Sequence, residues 1–315
     1  MEKTKSIWLD GKLVPWDDAR FHFFTHSLHY GLGVFEGIRC YRQEGGGSAI
    51  FRLDEHVRRL YDSAKMCLID VPIPAEDVVR ACLDVVAENG LDECYVRPLV
   101  WLGEGSMGLG STTNPVHVGV GAFPWGAYLG EEGVRNGIRC CVSSLTRLSQ
   151  ARHMVAAKVT GQYVNSILAN RLATMAGYDE AILLDGEGLV AEGPGENVFV
   201  IRDGVMTTPP LSSPVLHGLT RHTILTLARE RADALGIEIV EAAFPRETLY
   251  VADEVFLVGT AAEVTPVREV DGRTVGSGRP GPVTRALADA YQAVVRGAET
   301  EHAAWRSIVP ASGPS

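Results

Sequence analysis

The chain has 315 residues, 46% hydrophobic and 22% charged, enough for a sizeable core and, as a soft prior, for two domains. A formal net charge of -10 with no Lys/Arg block argues against nucleic acid or an anionic membrane as partner. The N-terminus lacks a signal-peptide core, no apolar run approaches the roughly 18 residues of a membrane span, and six cysteines without a C-x-x-C pair point to reduced thiols in a cytoplasmic protein.

Asp10-Gly11 is a hairpin signal between two short alternating runs. His22, His26 and His29 follow at helical spacing. With no acidic or cysteine ligand nearby they read as packed or capping histidines, and no metal is expected. Gly31, Gly33 and Gly37 permit close approach of the backbone. Gly45–Gly47 is a loop between two strands. Asp54 is the expected N-cap of a helix whose apolar stripe is Val57, Leu60, Tyr61, Ala64 and Leu68. Arg58 and Arg59 fall off that stripe, which by periodicity alone leaves both solvated. A second helix is expected over 75–89, ending at Asn89-Gly90. Residues 95–102 read as a strand with Tyr95 and Arg97 on one face and Val96 on the other. An arginine in so apolar a run needs a structural ion pair or an anionic ligand. Gly103–Gly108 matches G-x-G-x-x-G, but loop and then strand follow it rather than a helix, so a dinucleotide fold is rejected. The Gly- and Pro-rich run from Phe123 to Gly133 is a candidate interdomain linker.

A strand over 138–144 opens the second half. Lys158 then sits among small or apolar neighbours, Val155-Ala156-Ala157-Lys158-Val159, just before a helix. Desolvation lowers an amine's pKa, which makes a lysine nucleophilic enough to form a Schiff base; the plainer alternative is a surface lysine in a loop. The helix is expected from Thr160 to Gly177, with the stripe Val164, Ile167, Leu168, Leu172 and Met175. Glu192 and Glu196 flank Gly193-Pro194-Gly195, and each alone is compatible with a solvated turn carboxylate. Gly218-Leu219-Thr220 begins a helix whose stripe is Ile224, Leu227, Ala228 and Leu235. Such a start is either plainly capped or a ready anion site. A buried strand over 254–258 ends in Gly259-Thr260-Ala261-Ala262-Glu263.

Pyridoxal 5'-phosphate (PLP) chemistry needs a lysine for the aldehyde and an anion cup for the phosphate. It also needs a carboxylate at the ring nitrogen and a donor to the ring oxygen. Lys158, the 218–220 helix start with Thr260 and an arginine, Glu192 and Tyr163 offer these. From about Ile7 to about Trp305 the sequence resembles the branched-chain amino-acid aminotransferases, which are class IV, fold-type IV PLP enzymes. The resemblance is carried by His29-Tyr30-Gly31, Val34–Arg39, Tyr95-Val96-Arg97-Pro98 and Phe123–Tyr128. Ala156-Ala157-Lys158, Glu192–Phe199, Gly218–Arg221 and Gly259–Glu263 carry it in the second half. His153-Met154-Val155 and Leu32 depart from the family's usual residues without removing a catalytic group.

The resemblance implies a mixed α/β (α+β) fold of two domains with PLP between them. The smaller N-terminal domain would span 1–126, the linker 127–136 and the larger PLP-binding domain 137–315. Lys158 would be catalytic and hold PLP, with Glu192 at the ring nitrogen, Tyr163 at the ring oxygen, and Arg59, Leu219, Thr220 and Thr260 on the phosphate. Tyr95, Thr260 and Ala261 would hold the substrate α-carboxylate. Tyr30, Phe35, Met107, Leu109, Trp125, Tyr128 and Tyr163 would wall the side-chain pocket, and Arg97 would meet glutamate's far carboxylate. The implied reaction moves an amino group between L-branched-chain amino acids and 2-oxoglutarate, giving glutamate and branched 2-oxo acids. At least a homodimer is implied, with the 103–112 loop reaching the neighbouring site. Alternatives on the same fold are a D-amino-acid or (R)-amine transaminase and aminodeoxychorismate lyase.

Overall fold

The Asp10-Gly11 hairpin forms: Ser6–Leu9 (β1) and Lys12–Pro15 (β2) pair antiparallel, with both turn residues at positive φ (47° and 97°). The computed structural model describes residues 2–126 and 129–311, so Tyr128, expected in the pocket wall, lies outside the described residues. By packing, the chain divides into two units. One holds Met1–Trp125, Ala157–Gln162 and Ala293–Ser315; the other holds Gly126–Ala156 and Tyr163–Gln292.

In the first unit the strands after the hairpin are Gly33–Phe35 (β3), Ile38–Arg42 (β4), Ser48–Phe51 (β5), Cys94–Leu102 (β6) and Val116–Phe123 (β7). The helices are His26–Tyr30 (α1), Leu53–Met66 (α2) and Ala75–Glu88 (α3). A C-terminal strand, Arg306–Ile308, pairs with β5, and the sheet runs from it through β5, β4, β6, β7 and β1 to β2, with β3 also on β6. Val57, Leu60 and Ala64 of α2 and Val78, Cys82, Val85 and Val86 of α3 pack on Ile38, Val96, Val100, Val118 and Val120 of the sheet. Two expectations fail at the ends of α2. Asp54 does not cap it. Strand β5 runs straight into the helix through Arg52, which adopts a left-handed conformation (φ 54°) and bonds Glu55. Leu68 lies past the helix end and is 94% exposed, because the periodic stripe stops where the helix does.

In the second unit Gly130–Asn136 (α4), which overlaps the end of the Gly- and Pro-rich run, is helical. The strands are Ile138–Val142 (β8), Glu180–Leu184 (β9), Val190–Glu192 (β10), Asn197–Arg202 (β11), Val205–Thr208 (β12), Glu238–Glu241 (β13), Glu254–Gly259 (β14), Glu263–Val270 (β15) and Arg273–Thr274 (β16). The helices are Tyr163–Met175 (α5), Leu219–Glu230 (α6), Ala232–Leu235 (α7), Glu247–Tyr250 (α8) and Pro282–Arg296 (α9), the last belonging to this unit as far as Gln292. Leu235 therefore falls in α7, not in the stripe of α6. The sheet order is β10-β9-β8-β15-β14-β11-β12-β13, and β10 also pairs with β11, closing a ring of six strands at Glu192↔Asn197.

Helix α5 reverses its expected orientation. It buries Ser166, Ala169 and Ala173, while Val164, Ile167, Leu168 and Leu172 are exposed and Met175 is 84% exposed. Small side chains let the helix lie close on β9, where Ala169 and Ala173 meet Ala181 and Leu183, and the larger apolar face is left outside.

Candidate active site

Lys158 belongs to a six-residue return of the chain into the first unit. Its backbone N–H donates to Ser63 Oγ (3.0 Å) and its carbonyl accepts from Phe35 N–H (3.1 Å). Val159 bridges to Val34, and Thr160 Oγ1 donates to Gly31 O (2.6 Å). With the segment fixed, the amine lies over the Phe35 ring, 5.1 Å from its centroid. Lys158 is half-buried.

Arg59 is not solvated. Its side chain is 12% exposed and clamps Glu36 in two hydrogen bonds, Nε to Oε1 (2.6 Å) and Nη2 to Oε2 (2.8 Å). Glu36 is 0% exposed. It also accepts from His56 Nδ1 (2.6 Å) and Gly37 N–H (3.3 Å). Burial pushes the Glu36 carboxyl up, but the Arg59 guanidinium and His56 outweigh it and hold it well below the ordinary 4.5. Burial holds His56 below the ordinary 6.5 against the pull of Glu36, so a neutral imidazole donates from Nδ1. Glu36, His56 and Ser63 are absent from the expected site. Glu36 was legible by the argument applied to Arg97: a carboxylate following Val34-Phe35 requires a cationic partner, and His56 and Arg59 sit three apart on one helix.

Tyr95 and Arg97 share a face of β6, and Val96 packs into the core opposite. The Arg97 guanidinium lies 4.9 Å from the Phe35 ring centroid and 5.3 Å from that of Tyr95. Its Nε is buried without a hydrogen-bond partner among the described residues. Such an orphaned donor costs free energy unless an acceptor arrives. Trp125 meets Tyr95 edge to face at 4.6 Å. Gly37 has to be glycine here, since a Cβ would lie 1.8 Å from Tyr95 Oη. Tyr30 Oη donates to Met107 O (3.0 Å), tying helix α1 to the 103–112 loop. Leu109 in that loop is 80% exposed.

In the second unit Glu192 is buried at the closure of the strand ring. Oε1 pairs with Arg147, and Oε2 accepts from Leu216 N–H (2.8 Å) and Asn197 Nδ2 (3.2 Å). A carboxylate offers about four acceptor sites, so one remains for a further N–H donor. Asn197 also donates to Leu216 O (3.1 Å), which draws the 216–220 turn to Glu192. A Cβ on Gly218 would lie 2.0 Å from Asn197 Oδ1, so the glycine opening α6 is required by this approach. Arg221 locks α6 by donating to Glu241 Oε2 and Pro209 O, both at 2.8 Å. Thr220 is buried and Leu219 half-buried at the same helix start. Pairing of Asn197 with Val258 carries Thr260 and Ala261 past the Gly-Pro-Gly turn. Tyr163 is the first residue of α5. Arg147 carries no local motif and reaches Glu192 from 45 residues away, whereas Asn197 lies within the Glu192–Phe199 motif.

These residues fit PLP in two respects that the structure exhibits. Glu192 is a buried carboxylate with one acceptor site left for a ring N–H. Lys158 presents its amine on an apolar ring from a fixed backbone.

Residues 33–270 match the family model for the amino-transferase class IV proteins. The chain is 49% identical over 303 residues to the branched-chain-amino-acid aminotransferase of Pseudomonas aeruginosa, covering 96% of this chain and 97% of that one. Its structure is similar to that of the Escherichia coli branched-chain amino acid aminotransferase, with a TM-score of 0.94, 45% identity, and 98% and 100% of the two chains covered. It is likewise similar to the PLP-form (holo-form) of the Thermobaculum terrenum branched-chain amino acid aminotransferase, with a TM-score of 0.90, 34% identity, and 98% and 100% of the two chains covered.

Proposed function

The chain belongs to the class IV aminotransferases, in the branched-chain-amino-acid aminotransferase family, and from this we propose that it moves the amino group between L-leucine, L-isoleucine or L-valine and 2-oxoglutarate with PLP as cofactor. When bound, PLP acts as the electron sink that makes the substrate Cα–H acidic. Lys158 holds the cofactor and shuttles the proton to and from Cα. Glu192 keeps the ring nitrogen protonated through its remaining acceptor site. Tyr163 donates to the ring oxygen. Arg59, Leu219, Thr220 and Thr260 hold the phosphate, and Glu36 and His56 keep the guanidinium of Arg59 in place. Tyr95, Thr260 and Ala261 receive the α-carboxylate. Tyr30, Phe35, Met107, Leu109 and Trp125 line the apolar pocket.

The observation that carries this reading is the buried, unpaired Nε of Arg97 between two aromatic rings. The pocket has to accept leucine's apolar side chain in one half-reaction and glutamate's second carboxylate in the other. The rings serve the first and the guanidinium the second. A panel of amino donors with 2-oxoglutarate as acceptor tests the proposal: leucine, isoleucine and valine should lead, and preference for a D-amino acid or an (R)-amine would overturn it.

The proposal extends to a cytoplasmic homo-oligomer, at least a dimer. The six cysteines are free, as in a reducing compartment, and no helix among the described residues is long and apolar enough to cross a membrane. The exposed apolar face of α5 and the exposed Phe21, Phe23, Phe24 and Leu28 supply surface for a second copy.

A further inference from the structure

Outside the residues assigned above, the second unit contains a cavity of about 490 Å³ on which four arginines converge. Arg135 comes from the last turn of α4, Arg268 from β15, Arg279 from the turn before α9, and Arg285 from the first turn of α9. Among the described residues, none of the four side chains makes an ion pair or hydrogen bond and no acidic residue lines the cavity.

Glu254, Glu263, Glu269, Asp271 and Glu132 are committed elsewhere. Glu254 accepts from Val283 N–H (3.0 Å) and Thr284 N–H (2.7 Å), capping α9. Glu263 accepts from Gln292 (3.0 Å), Glu269 pairs with Arg139 (2.9 Å), and Asp271 accepts from Tyr250 Oη (2.7 Å). Glu132 accepts from Asn136 (3.1 Å). Asp289, one turn beyond Arg285, and Glu263 line an adjoining cavity of about 260 Å³ that Arg135 and Arg285 also line, and neither carboxylate forms an ion pair with these arginines. In a chain of net charge -10, four uncompensated guanidinium groups facing one space make a local positive focus.

We propose that this cavity binds a compact polyanion bearing two or more phosphate groups. Guanidinium forks match phosphate oxygens bidentately, and four of them arriving from separate elements require more negative charge than one monoanion supplies. Among the described residues the lining offers Pro280 and no aromatic ring to hold a base or an apolar side chain, and recognition rests on the charge itself. The volume lies in the range of about 300–1,000 Å³ usual for small-molecule sites. The site does not depend on the transaminase reading.

Calorimetric titration of the PLP-loaded protein with inorganic pyrophosphate at physiological salt tests it. One pyrophosphate should bind per chain, about tenfold or more weakly in an Arg268→Gln/Arg285→Gln double variant whose turnover and oligomeric state are unchanged. Arg97→Leu should leave pyrophosphate binding as it is. Absence of saturable binding, equal binding by the double variant, or loss in Arg97→Leu instead overturns the proposal. Citrate binding as tightly as pyrophosphate at these arginines would overturn the assignment to phosphate. Dissociation of the double variant into smaller species would also overturn it, since the arginines would then serve a subunit interface.

Discussion

Arg97 is where two unlike substrates would make different demands on one side chain. Charge-assisted hydrogen bonds are worth roughly 1.5–3 kcal/mol net. Arg97→Leu should therefore lower kcat/KM for glutamate and 2-oxoglutarate by about 10- to 100-fold, while single turnover with leucine changes much less. Equal losses in both half-reactions would assign Arg97 to structure or to the α-carboxylate. Glu192→Gln should retain PLP yet lower kcat, whereas Glu196→Gln should not; the reverse pattern would exchange their roles. Lys158→Ala should abolish both turnover and the visible absorbance of the loaded protein, and borohydride should fix the cofactor on this lysine in the parent. Glu36 makes a different kind of prediction. Removing one partner of a buried ion pair costs roughly 3–5 kcal/mol, so Glu36→Gln should lower the urea midpoint and speed PLP release while Lys158 remains intact. Because the folded-state pKa of Glu36 lies below its ordinary 4.5, its contribution is present above pH 4.5 and is lost as pH falls through the folded value. His56, also lowered from 6.5 by burial, costs stability as pH drops below 6.5 in parent and variant alike, so the difference between them follows Glu36 and changes below pH 4.5. The stability gap between parent and Glu36→Gln should therefore shrink on acidification; a gap that is constant with pH would mean Glu36 is not titrating in the pair.

Helix α5 shows what periodicity reads and what it leaves out. The spacing of Val164, Ile167, Leu168, Leu172 and Met175 identifies a helix and an apolar face, and both exist. Which face turns inward was not legible, because Ser166, Ala169 and Ala173 pack on β9 through close approach rather than through hydrophobic bulk. An apolar stripe on the outside of a unit is as well explained by a second copy as by a core. Ile167→Asp with Leu172→Asp should therefore reduce the molecular mass in solution by light scattering; an unchanged mass would leave the stripe without a partner. Strand β6 is legible in the sequence, since alternation alone places Tyr95 and Arg97 on one face and Val96 on the other. The same reasoning could not reach the clusters around Glu36 and Glu192. Their partners, Arg59, His56, Arg147 and Asn197, lie between 5 and 45 residues away and meet them through helix docking and strand pairing.

Local patterns report neighbours in sequence, so a six-residue return carries no signal of its own. Residues 157–162 leave the second unit, lay Lys158 against Phe35 and Ser63 in the first, and go back. Residues 306–308 return likewise to cover the edge of β5. A fragment ending at residue 126 lacks both segments and exposes that edge, so it should be poorly soluble when expressed alone; a soluble fragment with native circular dichroism would show that the first unit closes without them. The lysine segment also bears on ancestry. Recombination that exchanges residues 126–292 between related genes imports the donor's lysine together with its flanks, and these have to seat on the recipient's Gly31, Val34 and Ser63. The two units are therefore not interchangeable cassettes, and viable chimaeras should be those whose crossover points keep 157–162 with the parent that supplies residues 31–63.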